Sequence, residues 1–372
     1  MMASVQFNPF VSIFENKSST SVIVGKPGAG KTFMLLNVIA NCLMLECKCI
    51  AIDPKDDLGV LEDVFPEKVE VIDINNIKPG ALNPFRVLST IDTNVIASIV
   101  SIICGGLSDQ QTVAITPIIN DFVIRYKRNS GGRIASFGDI ADYLYANDNQ
   151  DAQAVGTKLQ IHRDSKYGAL LFDSDSSVDG MTLSNNSRSK IISLHGMDLP
   201  KGSQHLTEEQ KFNSAIVYII CKMCREVLTV GGYPTLFVMD EAHIAFQNPS
   251  FAQIIDEFMI LGRSLNVPTM LASQSVHHYP KTIAQMVSNC FCFNSSADDA
   301  MEFLNMFYSK DADGMADFES TISSIQSFQT GTCFYIDSSK RSGIFKVTSL
   351  LGDDITSNPL TKKRRKKQKE GD

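Results

Sequence analysis

The octet Gly25-Lys26-Pro27-Gly28-Ala29-Gly30-Lys31-Thr32 fits G-x-x-x-x-G-K-[ST], the pattern of a phosphate-binding loop. No other stretch constrains the fold as much, because the pattern works only between a buried strand and the start of a helix. Ser21-Val22-Ile23-Val24 precedes it, a β-branched run that reads as a buried strand. Phe33-Met34-Leu35-Leu36-Asn37-Val38-Ile39 follows, apolar and free of Gly and Pro, and reads as a helix. The glycines let the backbone curl so that successive N–H groups face phosphate oxygens. The helix N-terminus adds partial positive charge. Gly25, Pro27, Gly28, Ala29, Gly30, Lys31, Thr32 and Phe33 are the candidate nucleotide contacts. Lys31 would reach the β- and γ-phosphates, and the Thr32 hydroxyl would ligate Mg²⁺.

The chain has 372 residues, 44% of them hydrophobic, enough for one large α/β domain with an insertion or for two modest domains. Net charge is −7, but Lys362, Lys363, Arg364, Arg365, Lys366, Lys367 and Lys369 crowd the C-terminus, so the body is more acidic still. An acidic body with a basic tail argues against a protein that coats DNA through overall charge. The nine cysteines form no paired C-x-x-C sets, and Cys221 and Cys224 fall within an apolar helical run. Reduced thiols and no zinc site are therefore expected. Met1 to Ser12 lacks the basic and apolar regions of a signal peptide. No apolar run approaches the ~18–20 residues that span a bilayer, so a membrane role would need a partner.

Further strands are expected at Lys48–Asp53, Lys68–Ile74, Lys190–Leu194, Thr235–Met239, Pro268–Ala272, Asn289–Phe293 and Gly331–Asp337, the last pairing with Gly343–Val347 as a hairpin. From about Thr90 to Tyr167 strand-like runs disappear. Amphipathic helices are expected there at Asn94–Cys104, Gln110–Arg128, Phe137–Ala146 and Asp151–Arg163. Two more helices are expected at Glu208–Leu228 and Ser250–Ser264. The pattern divides the chain into an α/β core over 1–89 and 168–352, an all-helical insertion over 90–167 and a disordered basic tail over 353–372.

A phosphate-loop enzyme needs an acid at the end of a second hydrophobic strand. Leu236-Phe237-Val238-Met239-Asp240-Glu241 supplies it. Asp240 would hold Mg²⁺, and Glu241 would polarise the attacking water. Gln274 follows the strand Pro268–Ala272, where it is either a turn residue or a sensor of the γ-phosphate. Arg263 precedes that strand, as a surface cation or as a group reaching a neighbour's site. Asp53 and Lys55 stand at a strand's C-terminal end, where open α/β sheets place functional groups. His277-His278 has no acidic or cysteine partner at ligand spacing and reads as a polar loop. The tail Lys362–Lys369 reads equally as a nucleic-acid contact, a docking peptide or a solvated end.

These motifs occur in order: Gly-Lys-Pro-Gly-Ala-Gly-Lys-Thr, Ile-Asp-Pro-Lys, Leu-Asn-Pro-Phe, Met-Asp-Glu-Ala-His, Gly-Arg-Ser-Leu-Asn-Val-Pro and Ala-Ser-Gln-Ser. The set, over roughly residues 15–350, resembles the HerA/FtsK superfamily of ring-forming motors, and within it the TraC-like conjugation and type IV secretion ATPases. The resemblance implies a RecA-like P-loop core with a mostly parallel sheet, and Mg²⁺-dependent ATP hydrolysis. It also implies a homo-oligomer, expected to be a hexamer, with sites between subunits. Arg263 would then act in trans and Gln274 would be the sensor, with Lys31, Glu241, Arg263 and Gln274 as the catalytic set. The moved substrate would be DNA or protein, at a membrane secretion complex or a viral portal. The place of work would be the cytoplasm, peripherally at the inner face of the membrane. TraC-like ATPases carry a large N-terminal domain ahead of the motor, whereas here the first core strand begins near residue 20. An isolated motor domain, a split protein and a stand-alone motor are all compatible with that. The last raises a viral DNA-packaging ATPase as the alternative. A rival from another class is an ATP-binding assembly switch with little turnover.

Overall fold

The computed structural model describes residues 7–11, 18–129, 134–173, 179–183, 188–200, 205–230, 234–247, 249–264, 267–308 and 315–349. The basic tail lies outside them. The strands are β1 (Thr20–Val24), β2 (Lys48–Asp53), β3 (Val69–Asp73), β4 (Ser189–Ser193), β5 (Thr235–Met239), β6 (Thr269–Ser273), β7 (Val287–Phe293), β8 (Thr332–Ile336) and β9 (Ser342–Lys346). The longer helices are α1 (Lys31–Met44), α2 (Thr93–Cys104), α3 (Asp109–Asn129), α4 (Phe137–Tyr145), α5 (Gln150–Ile161), α6 (Glu208–Val230), α7 (Pro249–Ser264), α8 (Ala297–Phe307) and α9 (Met315–Ser327).

One nine-stranded sheet runs in the order β3-β4-β2-β5-β6-β1-β7-β8-β9. Pairing is parallel from β3 through β7 and antiparallel for β7–β8 and β8–β9. The parallel strands are apolar almost throughout because helices cover both of their faces. Alternate residues go to opposite sides: Val22 and Val24 of β1 join one buried cluster and Ile23 joins the other. The cluster under α1 gathers Leu35, Ile39 and Leu43 against Ala51, Val238 and Ala272. The opposite cluster takes α2 to α7, including Ile99, Ile103, Leu144, Leu159, Ile216 and Phe258. The helices between β3 and β4 therefore pack into one continuous core with the sheet.

Local chemistry accounts for the helix ends. The Asp92 side chain accepts from Val95 N–H at the start of α2, and Gly105 closes that helix in the left-handed region. Ser136 and Asp139 form a reciprocal capping box on α4. The expected strands and helices all appear, with ends shifted by a residue or two, except that α1 runs on past Ile39 to Met44. Helices α8 and α9 were not expected between residues 293 and 331. The signal for α8 was there, in Ser296 as cap and in Ala300, Phe303, Leu304 and Phe307 on one buried face. No helix among the described residues is long and apolar enough to cross a membrane.

Candidate active site

Four strand ends meet at the C-terminal edge of the sheet: β1 leads into Gly25, β2 into Lys55, β5 into Asp240 and β6 into Gln274. Strand β6 lies between β1 and β5, paired to both in parallel register. That order carries the phosphate loop and the Asp-Glu pair to two sides of one cleft, with Gln274 between them.

The loop is tightly packed. A Cβ on Gly30 would meet Gly331 N at 2.7 Å and Gly331 Cα at 2.9 Å, at a φ of +110°. A Cβ on Gly25 would meet Phe293 Cβ at 2.7 Å. The turn before β8 clasps the loop from outside, with Gly331 N–H donating to Ala29 O (2.9 Å) and the Thr330 hydroxyl to Gly28 O (3.2 Å). Helix α1 starts with no side-chain cap and no acid in its first turn, which leaves its N–H groups and dipole facing the cleft. Lys31 is buried, and its Nζ donates to Gly25 O (2.5 Å) and Lys26 O (3.1 Å). Burial lowers the Lys31 ammonium below its ordinary value, against the opposing pull of Glu241 and Asp240. Pro27 and Gly28 are exposed at the loop's crest, Ala29 is buried and Phe33 is half-buried in the first turn of α1.

Thr32 Oγ1 donates to Asp240 Oδ2 at 3.4 Å, across 208 residues of chain. Asp240 is fully buried, and burial with the Glu241 charge pushes its carboxyl up to about 6. A hydroxyl and a carboxylate are hard oxygen donors, and a divalent cation between them would relieve that desolvation and repulsion. The donor set therefore fits Mg²⁺.

Glu241 has φ +57°, the left-handed region. This bend costs an ordinary residue ~1–3 kcal/mol, and it turns two adjacent side chains toward the same cleft. Glu241 Oε1 accepts from Gln274 Nε2 (3.0 Å) and pairs with Lys55 Nζ. Its Oε2 is buried and lies 3.2 Å from His243 Nδ1, but neither atom completes a hydrogen bond. The other nitrogen of that ring, Nε2, donates to Pro200 O at 3.0 Å. Burial would push the Glu241 carboxyl up; the facing His243, the Lys55 ammonium and the Gln274 amide outweigh it and hold the group at about 2.

Lys31, Thr32, Asp240, Glu241 and Gln274 thus converge, and Arg263 does not join them. Arg263 lies in the last turn of α7, before β6 begins, at the edge of the sheet opposite this chain's own loop. Five residues of β6 separate the two edges, roughly 16 Å. The Arg263 side chain itself is outside the described residues. Asp53 and Lys55 both belong to the cleft edge: Asp53 ties the turn, and Lys55 reaches Glu241. His243 escaped the sequence reading as a site residue, though it stands two positions after Glu241. His277 does have an acidic partner, Asp298 of α8, 2.8 Å from Nε2. Sequence spacing concealed it because α8 was not expected.

The sheet order and the loop-to-helix junction define a RecA-like P-loop fold. The chain belongs to the AAA-like domain family, whose model matches residues 12–355. The same fold is seen in VirB4 of Thermoanaerobacter pseudethanolicus, at TM-score 0.71 and 14% identity over 90% of each chain. The bacterial conjugative coupling protein TrwBdeltaN70 matches at TM-score 0.58 and 14% identity, over 91% of this chain and 86% of that one. In sequence the chain is similar to the uncharacterized protein YddE of Bacillus subtilis (strain 168), 22% identical over 378 residues. That alignment covers 93% of this chain but 44% of YddE. The expected P-loop core is therefore shown at the level of the AAA-like family and of the fold.

Proposed function

We propose that the chain is a Mg²⁺-dependent ATPase that acts as a ring motor, moving DNA or protein as the conjugation and type IV secretion ATPases do. The observation that carries this is the convergence of Thr32, Asp240, Glu241 and Gln274 beside the Gly25–Thr32 loop. In support, TrwB has been solved with ADP and Mg²⁺ and with a non-hydrolysable ATP analogue. In this reading Lys31 and the α1 N-terminus hold the β- and γ-phosphates, and Thr32 and Asp240 hold the metal. The metal supplies charge neutralisation for the phosphates when bound. Glu241 accepts a proton from the attacking water, and Gln274 keeps the carboxylate aimed. Residues 1–89 and 168–352 would be the motor core, 90–167 an inserted helical element and 353–372 a basic tail.

Arg263, at the far edge of the sheet, would serve a neighbouring subunit's phosphates. The active form is then a homo-oligomer, proposed to be a hexamer working at the cytoplasmic face of a membrane secretion complex. Substituting Lys31 by Ala or Glu241 by Gln is expected to abolish turnover. Full ATPase activity in purified Glu241→Gln protein would sink the assignment. Mixing Arg263→Ala with Glu241→Gln subunits should restore part of the activity through mixed interfaces. No recovery in proven mixed rings would remove the trans role. Stimulation of turnover by DNA, measured against unfolded protein, distinguishes the two polymers.

A further inference from the structure

Glu241 is the acid on which the proposed chemistry turns, and neither oxygen of its carboxylate is open to the cleft. A carboxylate oxygen has two lone pairs. Both lone pairs of Oε1 are taken, one by Gln274 Nε2 and one by Lys55 Nζ. The other oxygen, Oε2, is turned inward, buried against the His243 ring. As arranged, Glu241 offers no acceptor to a water in the cleft. One of its donors must leave before it can take a proton.

The two donors are built differently. Gln274 is a short arm directly after β6, in the sheet between β5 and β1. Lys55 is a four-carbon arm with 41% of its side chain exposed, against 4% for Glu241. Its base is rigid. Asp53, fully buried at the end of β2, accepts from Lys55 N–H (3.1 Å) and Leu58 N–H (2.7 Å) and pins the turn. A mobile cation on a fixed base, within electrostatic reach of Lys31 and Asp240, is suited to exchange one anion for another.

We propose that Lys55 is a positioning residue that masks Glu241, and that the terminal phosphate of a nucleoside triphosphate draws it off, freeing Oε1. The acid is then available only when a third phosphate is in the loop. A diphosphate leaves the mask in place. This rests on Glu241 being the water-polarising acid.

The test compares wild type, Lys55→Ala, Lys55→Gln, Lys55→Arg and Glu241→Gln full-length protein. ATP hydrolysis is measured with Mg²⁺ and without added polymer, together with equilibrium binding of ADP and of a non-hydrolysable ATP analogue. Because Lys55 stays divided between Oε1 and the third phosphate even with ATP bound, removing the mask should raise kcat at least about fivefold, the factor that corresponds to ~1 kcal/mol of competing ion pair. KM for ATP and the Kd of the analogue should rise, because the third phosphate loses a cation, while the Kd of ADP stays unchanged. Lys55→Arg should keep the mask and the slow rate. If Lys55→Ala does not fold, as judged by its thermal melt, the contrast between Lys55→Gln and Lys55→Arg decides. A kcat that falls in Lys55→Ala or Lys55→Gln, or ADP and analogue affinities that change together, overturns the proposal. If Glu241→Gln is inactive and the neutral Lys55 variants are no faster than wild type, the mask alone fails. If Glu241→Gln hydrolyses ATP like wild type, the reading of Glu241 fails as well.

Discussion

Gln274 Nε2 stands 3.0 Å from Glu241 Oε1, although the two residues belong to different strand ends 33 positions apart. The contact exists because β6 pairs with β5 on one side and β1 on the other. It makes Gln274 the one neutral donor on a carboxylate otherwise faced by a lysine and a histidine. An amide can hold the carboxylate's direction without altering its charge, which is what a water-polarising acid requires.

Replacing Gln274 by Ala should therefore slow chemistry more than binding. A loss of ~10²-fold in kcat is expected, comparable to removing one fixed donor from a reaction centre. The Kd for ADP should hardly move. Stopped-flow binding and steady-state turnover on one preparation check this. Equal losses in both would make Gln274 a structural residue.

Thr32 and Asp240 meet at 3.4 Å and offer two hard oxygens. In Thr32→Ala, the Mg²⁺ concentration for half-maximal turnover should rise about tenfold, the scale on which weakened metal sites lose affinity. Asp240→Asn should require more still. A Mg²⁺ titration at saturating ATP reads the shift. An unchanged midpoint in both variants would exclude them as the ligands.

Gly30 cannot gain a methyl group cheaply. Its φ is +110°, and the new carbon would sit 2.7 Å from Gly331 N, a backbone atom pinned to Ala29 O. Gly30→Ala should destabilise the fold by ~1–3 kcal/mol, the cost of one residue held in a disfavoured backbone region. Urea unfolding measures it. Gly28→Ala shares the positive φ (+77°) but has open space around it, so it should cost less. The reverse order would mean that the clasp on the loop is not rigid.

Asp53 sets a pH dependence whose sign can be worked out. Its carboxyl is raised from 3.8 to about 7, chiefly by burial and next by neighbouring charges, against the pull of its two backbone N–H donors. The folded state therefore holds a proton that the unfolded state releases. The stabilising contribution is full below about pH 4 and is lost as pH rises through about 7. The melting temperature should fall between pH 5 and 8. In Asp53→Asn the slope should flatten, at a lower starting stability because the amide cannot accept both N–H groups. A melting temperature of the wild type that climbs over that window would contradict the assignment.

Much of this was legible in the residues. Strand β2 was read at its observed bounds, as was β5, because short apolar runs flanked by turn residues advertise themselves locally. Thr32, Asp240 and Glu241 could be singled out together because loop and acid each carry a local pattern, and Thr32 and Asp240 do lie within 3.4 Å. The left-handed φ of Glu241 has no local signal, because a glutamate rarely adopts it. Lys55 was seen at the correct sheet edge but without its partner. Thr330 and Gly331, which clasp the loop, gave no sign, because their role lies in a backbone contact 302 residues away.

The sequence by itself determined that a strand, a glycine loop and a helix would cradle phosphate, and that an acid would end a second buried strand. Those features depend on neighbours within a few residues, so composition and spacing suffice. Only the tertiary structure decided which strands lie side by side. Insertion of β6 between β1 and β5 brought Gln274 to Glu241, and the adjacency of β2 and β5 brought Lys55 to the same oxygen. It also set Arg263 at the far edge, away from its own loop. Strand order follows from how helices can cover both faces of a twisted parallel sheet, a non-local packing condition that no single segment encodes.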